Sequence, residues 1–575
     1  MRVRGFNTRS NENKTEQQQG DHACKRVAST ARVQFSVSSH FFASYVRVLS
    51  SSIRMSTSTV KIVFGPPDRQ IVFRKRQASS NQLRQFFGNM TRVFSTHPNQ
   101  FAACALLSLA SIATINAQTL NARISVVSTA PARLKIDARL PNATTVLSFR
   151  NTYAGVLGLG ERVETVEGIR NDGERVRLRK VTPGEFKSVE GFSRFAYEVN
   201  LAGPFRPADL SHISSLNSDY GLLMMADLLP QSTRDSSKFA SALVDVDVPN
   251  GWTVSANIKR EGSRFSTDDP ETAVFLVAPS VHEKRQRLST TNFSILTAGE
   301  WPFSDSDATK IAGKILAEYS RLTRFDLKRD VMLMLVPYPG EAGPQSWSAE
   351  TRGNLVVLLL GRNGRRTSVL SRLGIVLSHE LFHLWVPNSL KLEGDYDWFF
   401  EGFTLYQALR MDLRLGLISF ESYLETIAAV YDSYRSAVDR DGLSLIEASQ
   451  RRWTTSASLV YEKGMLVAFM YDLTLRRLTD CGASLDDVYT ELFRLSGTGQ
   501  RSANETIIAL LSEREGLKTF ARDYVESAAK IDLEIVLPAY GIQLGSSGSR
   551  ATELIPGRDL SKSQRKLLGC IGYRK

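Results

Sequence analysis

Residues 378–406 read SHELFHLWVPNSLKLEGDYDWFFEGFTLY and hold two histidines, His379 and His383, and a glutamate, Glu401, at a spacing that suits one metal ion. His379 and His383 are four residues apart, and apolar residues recur at helical spacing over 368–384. Both imidazoles should therefore lie on one face of a helix that ends before Pro387. This H-E-x-x-H spacing predicts a zinc site.

A third ligand is predicted on the next helix. Asp397 is a plausible N-cap for this helix, and Gly416 would end it. Glu401 falls in its first turn. A catalytic zinc usually has three protein ligands and one open position, and two imidazoles with one carboxylate leave it Lewis acidic. We therefore expect one zinc ion per chain, bound by His379, His383 and Glu401.

Glu380 follows the first histidine directly, so its side chain points beside the metal and not at it. We expect it to act as the general base and then to pass the proton to the leaving amine. Histidines at core positions of an apolar helix are the alternative. After residue 118, however, the chain has only four histidines (His212, His282, His379 and His383), and two of them form the motif, which favours the metal site.

A third segment carries a family resemblance. Residues 458–479, SLVYEKGMLVAFMYDLTLRRLT, predict another buried helix with Tyr461 near its start. Together with HELFHLW, WFFEGFTLY and SLDDVYTELFR, it resembles the glycyl aminopeptidase family of gluzincin metallopeptidases, the M61 peptidases. The resemblance implies a thermolysin-like catalytic domain, a peptide substrate and a phenol of Tyr461 that donates to the oxyanion. A core tyrosine remains the alternative for Tyr461.

The chain departs from the family where the substrate's amino end should bind. Relatives carry a G-G-x-E-H segment there, whereas residues 340–354 read GEAGPQSWSAETRGN. Glu350 is the carboxylate nearest the expected place, and Asn354 begins the predicted edge strand over 354–360. Both are candidate substrate-binding residues. Two possibilities stay open, a weak aminopeptidase in which Glu350 binds the ammonium, and an enzyme that tolerates blocked N-termini.

The pattern along the chain predicts an α+β fold with three parts. Short alternating segments from 118 to 302 indicate a β-sandwich-like domain. Residues 303–416 should form the thermolysin-like zinc domain, and 417–544 the helical part of the catalytic unit, which forms the second wall of the cleft. Residues 545–575 are predicted to be a tail, too short for the PDZ domain that many relatives carry.

The positive charge is concentrated before this folded part. Residues 1–118 hold 16 Lys and Arg against 4 Asp and Glu, while the remaining 457 residues are nearly balanced. Residues 1–89 are interpreted as a disordered leader or an over-extended start. Residues 90–117 are typical of a signal peptide with an apolar run over 101–115, which predicts export to the periplasm or secretion. Membrane contact is expected only if that run is an uncleaved anchor.

The predicted function is a zinc-dependent peptidase, an aminopeptidase on short peptides. An exported endopeptidase with the same site and a catalytically silent binding protein are the alternatives. Because the folded part has no basic stripe, no nucleic-acid partner is expected. Of the four cysteines, Cys481 and Cys570 follow the signal peptide, so at most one disulfide can form within the mature chain.

Overall fold

A computed structural model describes residues 61–64, 71–74, 119–231, 239–288, 291–545 and 551–574. The chain divides into a unit over 1–116 and a unit over 117–575. In the first unit, strand Lys61–Phe64 pairs antiparallel with Ile71–Arg74. The predicted signal peptide lies outside the described residues. Within the described ranges, no helix is both long and apolar enough to cross a membrane.

The second unit begins with a nine-stranded sheet. Its long central strands alternate buried and exposed residues, because only one face meets the core. Leu134, Ile136 and Tyr197 belong to the buried face. The strand order is Lys259–Glu261, Arg264–Thr267, Ser241–Asp247, Thr119–Thr129, Ala132–Ser148, Glu185–Asn200, Val163–Ile169 and Arg175–Arg177, with Arg179–Thr182 paired to Glu185–Asn200.

A four-stranded sheet packs on that core and is buried on both of its faces. Leu223 and Phe275 belong to the core shared with the nine-stranded sheet. Leu222 and Leu276 face the opposite way, into a core shared with the catalytic sheet. The predicted sandwich is thus extended to three sheets. The four strands are, in order, Ser215–Leu216, Gly221–Met224, Val274–Ala278 and Thr253–Ala256.

The third sheet has five strands and carries part of the site. The hairpin over 281–298 belongs to this sheet, so the predicted domain boundary at 302 falls too late. Strand Leu355–Leu360 is an inner strand with all residues buried, so the prediction that it forms the edge is wrong. The order is Val281–Leu288, Thr291–Ala298, Val331–Pro337, Leu355–Leu360 and Trp347–Arg352, which places Trp347–Arg352 at the edge.

Helices build the rest of the unit. Ser304 caps the first long helix and forms a capping box with Asp307. The α-helices are Met225–Leu228, Asp305–Thr323, Arg366–Glu380, Thr404–Arg414, Phe420–Ser436, Leu445–Gln450, Ala457–Leu478, Leu485–Ser496, Ala503–Leu511, Leu533–Val536 and Lys562–Cys570.

Turns of π-helix cover Trp398–Phe403, Arg452–Ser456 and Arg522–Glu526. Short 3₁₀ turns cover Leu159–Arg162, Pro207–Asp209, Pro270–Thr272, Phe382–Leu384 and Leu537–Tyr540. Three small strand pairs complete the description: Thr152–Tyr153 with Val156–Leu157, Leu392–Glu393 with Arg501–Ser502, and Ile542–Gly545 with Glu553–Pro556.

The C-terminal segment is folded into this unit. Leu567 and Leu568 of the last helix lie in the main hydrophobic core. Cys570 forms a disulfide with Cys481, 89 residues earlier. The prediction that 545–575 is a tail is therefore wrong for residues 551–574, because apolar residues at helical spacing give this segment a buried face.

Candidate active site

The two histidines lie side by side where the helix Arg366–Glu380 ends. The helix stops one turn earlier than predicted, and His383 follows in a 3₁₀ turn. The Nε2 atoms of His379 and His383 are nevertheless 3.1 Å apart. Nδ1 of His383 donates to the carbonyl of Val386 at 2.9 Å, so Nε2 is the nitrogen that faces the other two residues. Nδ1 of His379 is buried and has no hydrogen-bond partner among the described residues.

Glu401 completes a three-ligand group. Its Oε2 lies 3.5 Å from Nε2 of His379 and 3.5 Å from Nε2 of His383. Ligands about 2.0–2.1 Å from a tetrahedral zinc are separated by about 3.3–3.4 Å, so the three atoms fit the apices around one ion. The two imidazoles and the carboxylate are also the donor types that zinc accepts. The residues present therefore fit zinc.

Glu401 lies in a π-helical turn, an irregularity that is often found at functional sites. The predicted cap by Asp397 is wrong, since its side chain caps no backbone amide there. Asp397 instead accepts a hydrogen bond from Arg452 at 2.7 Å. Gly416 does end the following helix, with a φ of 69°.

Glu380 is held beside the ligand group. The hydroxyl of Thr351 lies 2.8 Å from both Oε2 and the backbone carbonyl of Glu380. Thr351 belongs to the edge strand of the catalytic sheet, so this strand orients the predicted base. The Glu380 side chain is buried and lines the same cavity as the ligands.

Arg452 is a site residue that the sequence analysis missed. Its Nη2 donates to Oε1 of Glu401 at 2.8 Å and to the phenol oxygen of Tyr461 at 2.5 Å. Its guanidinium stacks on Trp453, with 4.4 Å between the guanidinium carbon and the ring centroid. Tyr461 lies in the first turns of the helix Ala457–Leu478 and lines the cavity. The core alternative for Tyr461 is therefore disfavoured.

The helix that carries Tyr461 crosses the Glu401 segment at a pair of glycines. A Cβ on Gly402 would come within 2.6 Å of Cα of Gly464, and one on Gly464 within 2.7 Å of the carbonyl oxygen of Trp398. No side chain fits between the two backbones. The glycines in the sequences EGF and EKG thus allow the ligand Glu401 and the phenol of Tyr461 to approach.

The electrostatics of the site follow from burial and opposite charges. Burial lowers the pKa of His383, but Glu401 and Glu380 outweigh it and raise that pKa to about 9. Burial raises the pKa of Glu401, but His383, His379 and Arg452 together bring it well below its ordinary value. Burial and Glu401 raise the pKa of Tyr461, so its phenol stays protonated near neutral pH and can donate.

A cavity of about 680 Å³ opens beside the three ligands. One side comes from the hairpin over 152–157 of the β region, and the other from the turn Arg452–Ser456. Trp453 and Leu157 are large apolar side chains that stay exposed at these walls. The cavity is lined by Tyr153, Ala154, Leu157, His212, Glu350, Thr351, His379, Glu380, His383, Phe400, Glu401, Arg452, Trp453 and Tyr461, among others.

Glu350 lines this cavity, but its carboxylate already has several partners. Nε of Arg352 donates to Oε2 at 2.9 Å, and Nδ1 of His212 lies 3.2 Å from the same oxygen. The hydroxyl of Tyr153 donates to Oε1. Burial raises the pKa of Glu350, and Arg352, His212 and Tyr153 outweigh burial, so the group is ionised.

Asn354 does not reach the site. It lies in the turn after the edge strand, and its side-chain amide donates to the carbonyl of Asp330 at 2.7 Å. It is not among the residues that line the cavity. Its candidate role depended on the assumption that residues 354–360 form the edge strand, which the structure overturns.

Comparison with known families supports the same interpretation. Residues 372–467 match the family model described as M61 glycyl aminopeptidase. This segment is therefore similar to the M61 peptidases. The predicted resemblance is confirmed, and with it the prediction of a hydrolase of the metallopeptidase class. A search of curated proteins gave no significant match.

Solved structures show the fold that surrounds the M61 segment. The protein is similar to an aminopeptidase N family protein from Idiomarina loihiensis, with a TM-score of 0.63 and 17% identity over 74% of this chain and 79% of that chain. It also resembles the M1 zinc metallopeptidase from Deinococcus radiodurans, with a TM-score of 0.44 and 15% identity over 72% of this chain and 94% of that chain. The first likeness confirms the α+β fold predicted for the catalytic unit.

Proposed function

We propose that the protein is a zinc-dependent peptidase that hydrolyses short peptides in the cavity beside His379, His383 and Glu401. One observation carries the proposal: three ligand atoms converge at tetrahedral spacing on the same cavity that holds Glu380 and Tyr461. The M61 match over 372–467 supports the reaction class.

Glu380 and Tyr461 have separate roles in the proposed hydrolysis. Zinc, when bound, would supply Lewis acidity to the attacking water and the scissile carbonyl. Glu380 takes the proton of that water while Thr351 holds its Oε2, and it then delivers the proton to the leaving amine. Tyr461 donates its phenolic hydrogen to the developing oxyanion, where a positioned donor is worth about 3 kcal/mol.

Metal removal tests the ligand set. His383→Ala should bind zinc far more weakly and lose turnover, because two ligands rarely hold a catalytic zinc ion. Zinc content per chain is measured by elemental analysis of purified protein, together with hydrolysis of a short peptide. His282→Ala is the matched control, since His282 is exposed and lies outside the cavity. Full zinc occupancy in His383→Ala would contradict the assignment.

The first candidate for the specificity is that of an aminopeptidase, which cleaves the peptide bond next to the substrate's amino end. The M61 family model is described as a glycyl aminopeptidase, and Glu350 lies in the cavity on the edge strand where an ammonium could be received. A second candidate, an endopeptidase or an enzyme for blocked N-termini, is favoured by the contacts of Glu350. Its negative charge is already compensated by Arg352, so an incoming ammonium gains less from it.

The two candidates differ in their response to acetylation. We expect kcat/KM for a free-amine peptide to exceed that for its acetylated form by less than tenfold in the wild type. Glu350→Gln should reduce even this preference if Glu350 makes the contact. A preference above tenfold that survives Glu350→Gln would show that the ammonium binds elsewhere. Asn354→Ala is the control, because Asn354 lies away from the cavity.

We also propose that the protein is exported, as the segment 90–117 predicts. The disulfide Cys481–Cys570 supports this, because such bridges persist mainly in oxidising compartments. N-terminal sequencing of exported protein tests the proposal. Cleavage near Ala117 is expected, and residues before Met90 in the exported protein would contradict the interpretation of residues 1–89 as an over-extended start.

A further inference from the structure

Arg452 connects the metal-ligand half of the site with the oxyanion half. It lies in the π-helical turn that precedes the Tyr461 helix, and only 9% of its side chain is exposed. Within the described residues it is the cation whose hydrogen bonds reach both Glu401 and Tyr461. A single guanidinium therefore contacts both a predicted zinc ligand and the predicted oxyanion donor.

The first consequence of this contact concerns the geometry at Glu401. A carboxylate can bind zinc through one oxygen or through two. Here Oε1 accepts from Arg452 at 2.8 Å, while Oε2 lies 3.5 Å from both imidazole nitrogens. The hydrogen bond therefore assigns one oxygen to the arginine and leaves the other for the metal. It also fixes the rotation of the carboxylate about its terminal bond.

The second consequence concerns the geometry at Tyr461. The phenol oxygen accepts a hydrogen bond from Nη2 of Arg452 at 2.5 Å. Because arginine has only donors, the phenol's own hydrogen cannot be used in this contact. It is free to point into the cavity. A donor that is itself polarised by a cationic donor makes a stronger hydrogen bond to an oxyanion.

A guanidinium is the group that can satisfy all of these acceptors. Nη2 has two hydrogens, one for Glu401 and one for Tyr461, while Nη1 donates to Asp397 at 2.7 Å. The rings of Trp453 and Phe400 lie over the guanidinium carbon at 4.4 and 5.7 Å and restrict its plane. A lysine ammonium lacks this planar fork and cannot reproduce the three contacts.

We propose that Arg452 is a positioning residue that orients Glu401 for one-oxygen coordination and orients the phenol of Tyr461 as the oxyanion donor. The inference rests on the proposed function, because both roles presuppose a zinc-dependent hydrolysis in this cavity. Arg452 contacts neither the metal position nor a reacting atom. It acts through the two residues that do.

Zinc affinity tests the Glu401 part without any turnover. The dissociation constant for zinc is measured by competition with a chromogenic chelator in the wild type, Arg452→Lys and Arg451→Lys. Loss of a ligand's supporting hydrogen bond commonly costs about 10- to 100-fold in metal affinity, and we expect Arg452→Lys to fall in that range. Arg451→Lys, at the exposed residue directly before this turn, should stay within twofold of the wild type. A zinc affinity within twofold of the wild type for Arg452→Lys would overturn this part.

Binding of a phosphinic dipeptide, which mimics the tetrahedral oxyanion, tests the Tyr461 part at saturating zinc. Calorimetry is run on the wild type, Arg452→Lys, Tyr461→Phe and the double variant, with thermal melting as the check on folding. We expect Arg452→Lys to weaken binding at least tenfold when Tyr461 is present and less than threefold in the Tyr461→Phe background. An equal loss in both backgrounds would overturn the coupling.

The outcomes also separate this inference from the proposed function. If wild-type protein binds neither zinc nor the phosphinic dipeptide, the proposed function fails, and the inference fails with it. If wild-type protein binds both and Arg452→Lys behaves like Arg451→Lys in both assays, the proposed function stands and only the role of Arg452 is overturned.

Discussion

At the scale of single residues, Glu380 depends on the edge strand for its position. Thr351 binds its Oε2, so the carboxylate is fixed without being a metal ligand. We expect Glu380→Gln to retain zinc, because the three ligands are untouched, and to lower kcat by about 10²- to 10⁴-fold, because the amide cannot take a proton. Zinc content and single-substrate kinetics measure the two effects. A kcat within tenfold of the wild type would mean that another group activates the water.

The group of His379, His383 and Glu401 could be predicted from the sequence because its geometry is local. His379, Glu380 and His383 lie within one and a half turns, and Glu401 lies in the first turn of the next helical segment. Arg452 could not be predicted in this way. It is 51 residues from Glu401, and the dipeptide Arg451-Arg452 has no spacing that distinguishes it from surface charge. Its role exists only once the tertiary packing brings the two segments together.

Glu350 also shows that contacts between residues distant in sequence cannot be predicted from the local sequence. Its position in the cavity was predicted, but its partners Tyr153 and His212 come from the β region, 197 and 138 residues earlier in the chain. Because nothing in the local sequence indicates these partners, the charge compensation of Glu350 could not be anticipated.

At the scale of elements, the crossing of the Glu401 segment and the Tyr461 helix is set by Gly402 and Gly464. Gly464→Ala would place a Cβ 2.7 Å from the carbonyl oxygen of Trp398, so the helices must separate. We expect a loss of about 1–3 kcal/mol in the free energy of unfolding and a reduction in kcat/KM, because the Tyr461 phenol moves away from the metal ligands. Urea unfolding and peptide kinetics measure the two effects.

Gly569→Ala is the control for that experiment. Gly569 lies in the helix Lys562–Cys570, where an added Cβ has no neighbour within 4 Å. Alanine is about 1 kcal/mol better than glycine inside a helix, so this variant should be as stable as the wild type or more so. If Gly464→Ala behaves in the same way, the close approach at the crossing has no effect on the site.

Elements were predicted well where their pattern depends on one partner surface and poorly where it depends on several. The helix Asp305–Thr323 can be located from the sequence, since it has a cap at Ser304 and one apolar face. The run NLVVLLL suits either an edge or an inner strand, because its residues are apolar on both faces. Only the pairing with Trp347–Arg352 decides that it is an inner strand.

At the scale of the whole molecule, the disulfide Cys481–Cys570 closes a loop of 89 residues and attaches the last helix to the helical core. Cys570→Ser should lower the free energy of unfolding by about 2–4 kcal/mol. The bridge keeps this long loop closed in the unfolded chain, so the chain loses less entropy when it folds. Urea unfolding with and without a reductant measures this. Reductant should not change the stability of Cys570→Ser, and equal stability of both proteins without reductant would contradict the role of the bridge.

The three-sheet arrangement has a practical meaning for anyone who divides this protein into fragments. The four-stranded sheet gives one face to the β region and the other to the catalytic sheet, where Met334, Val336, Val357 and Leu359 pack against it. A fragment that starts at residue 303 would expose these side chains to water and would also lose the parallel neighbour of strand Val331–Pro337. We therefore do not expect the catalytic half to fold as a separate domain. Fusions and shortened variants should keep residues 119–574 together as one polypeptide, because the last helix also packs in the main core.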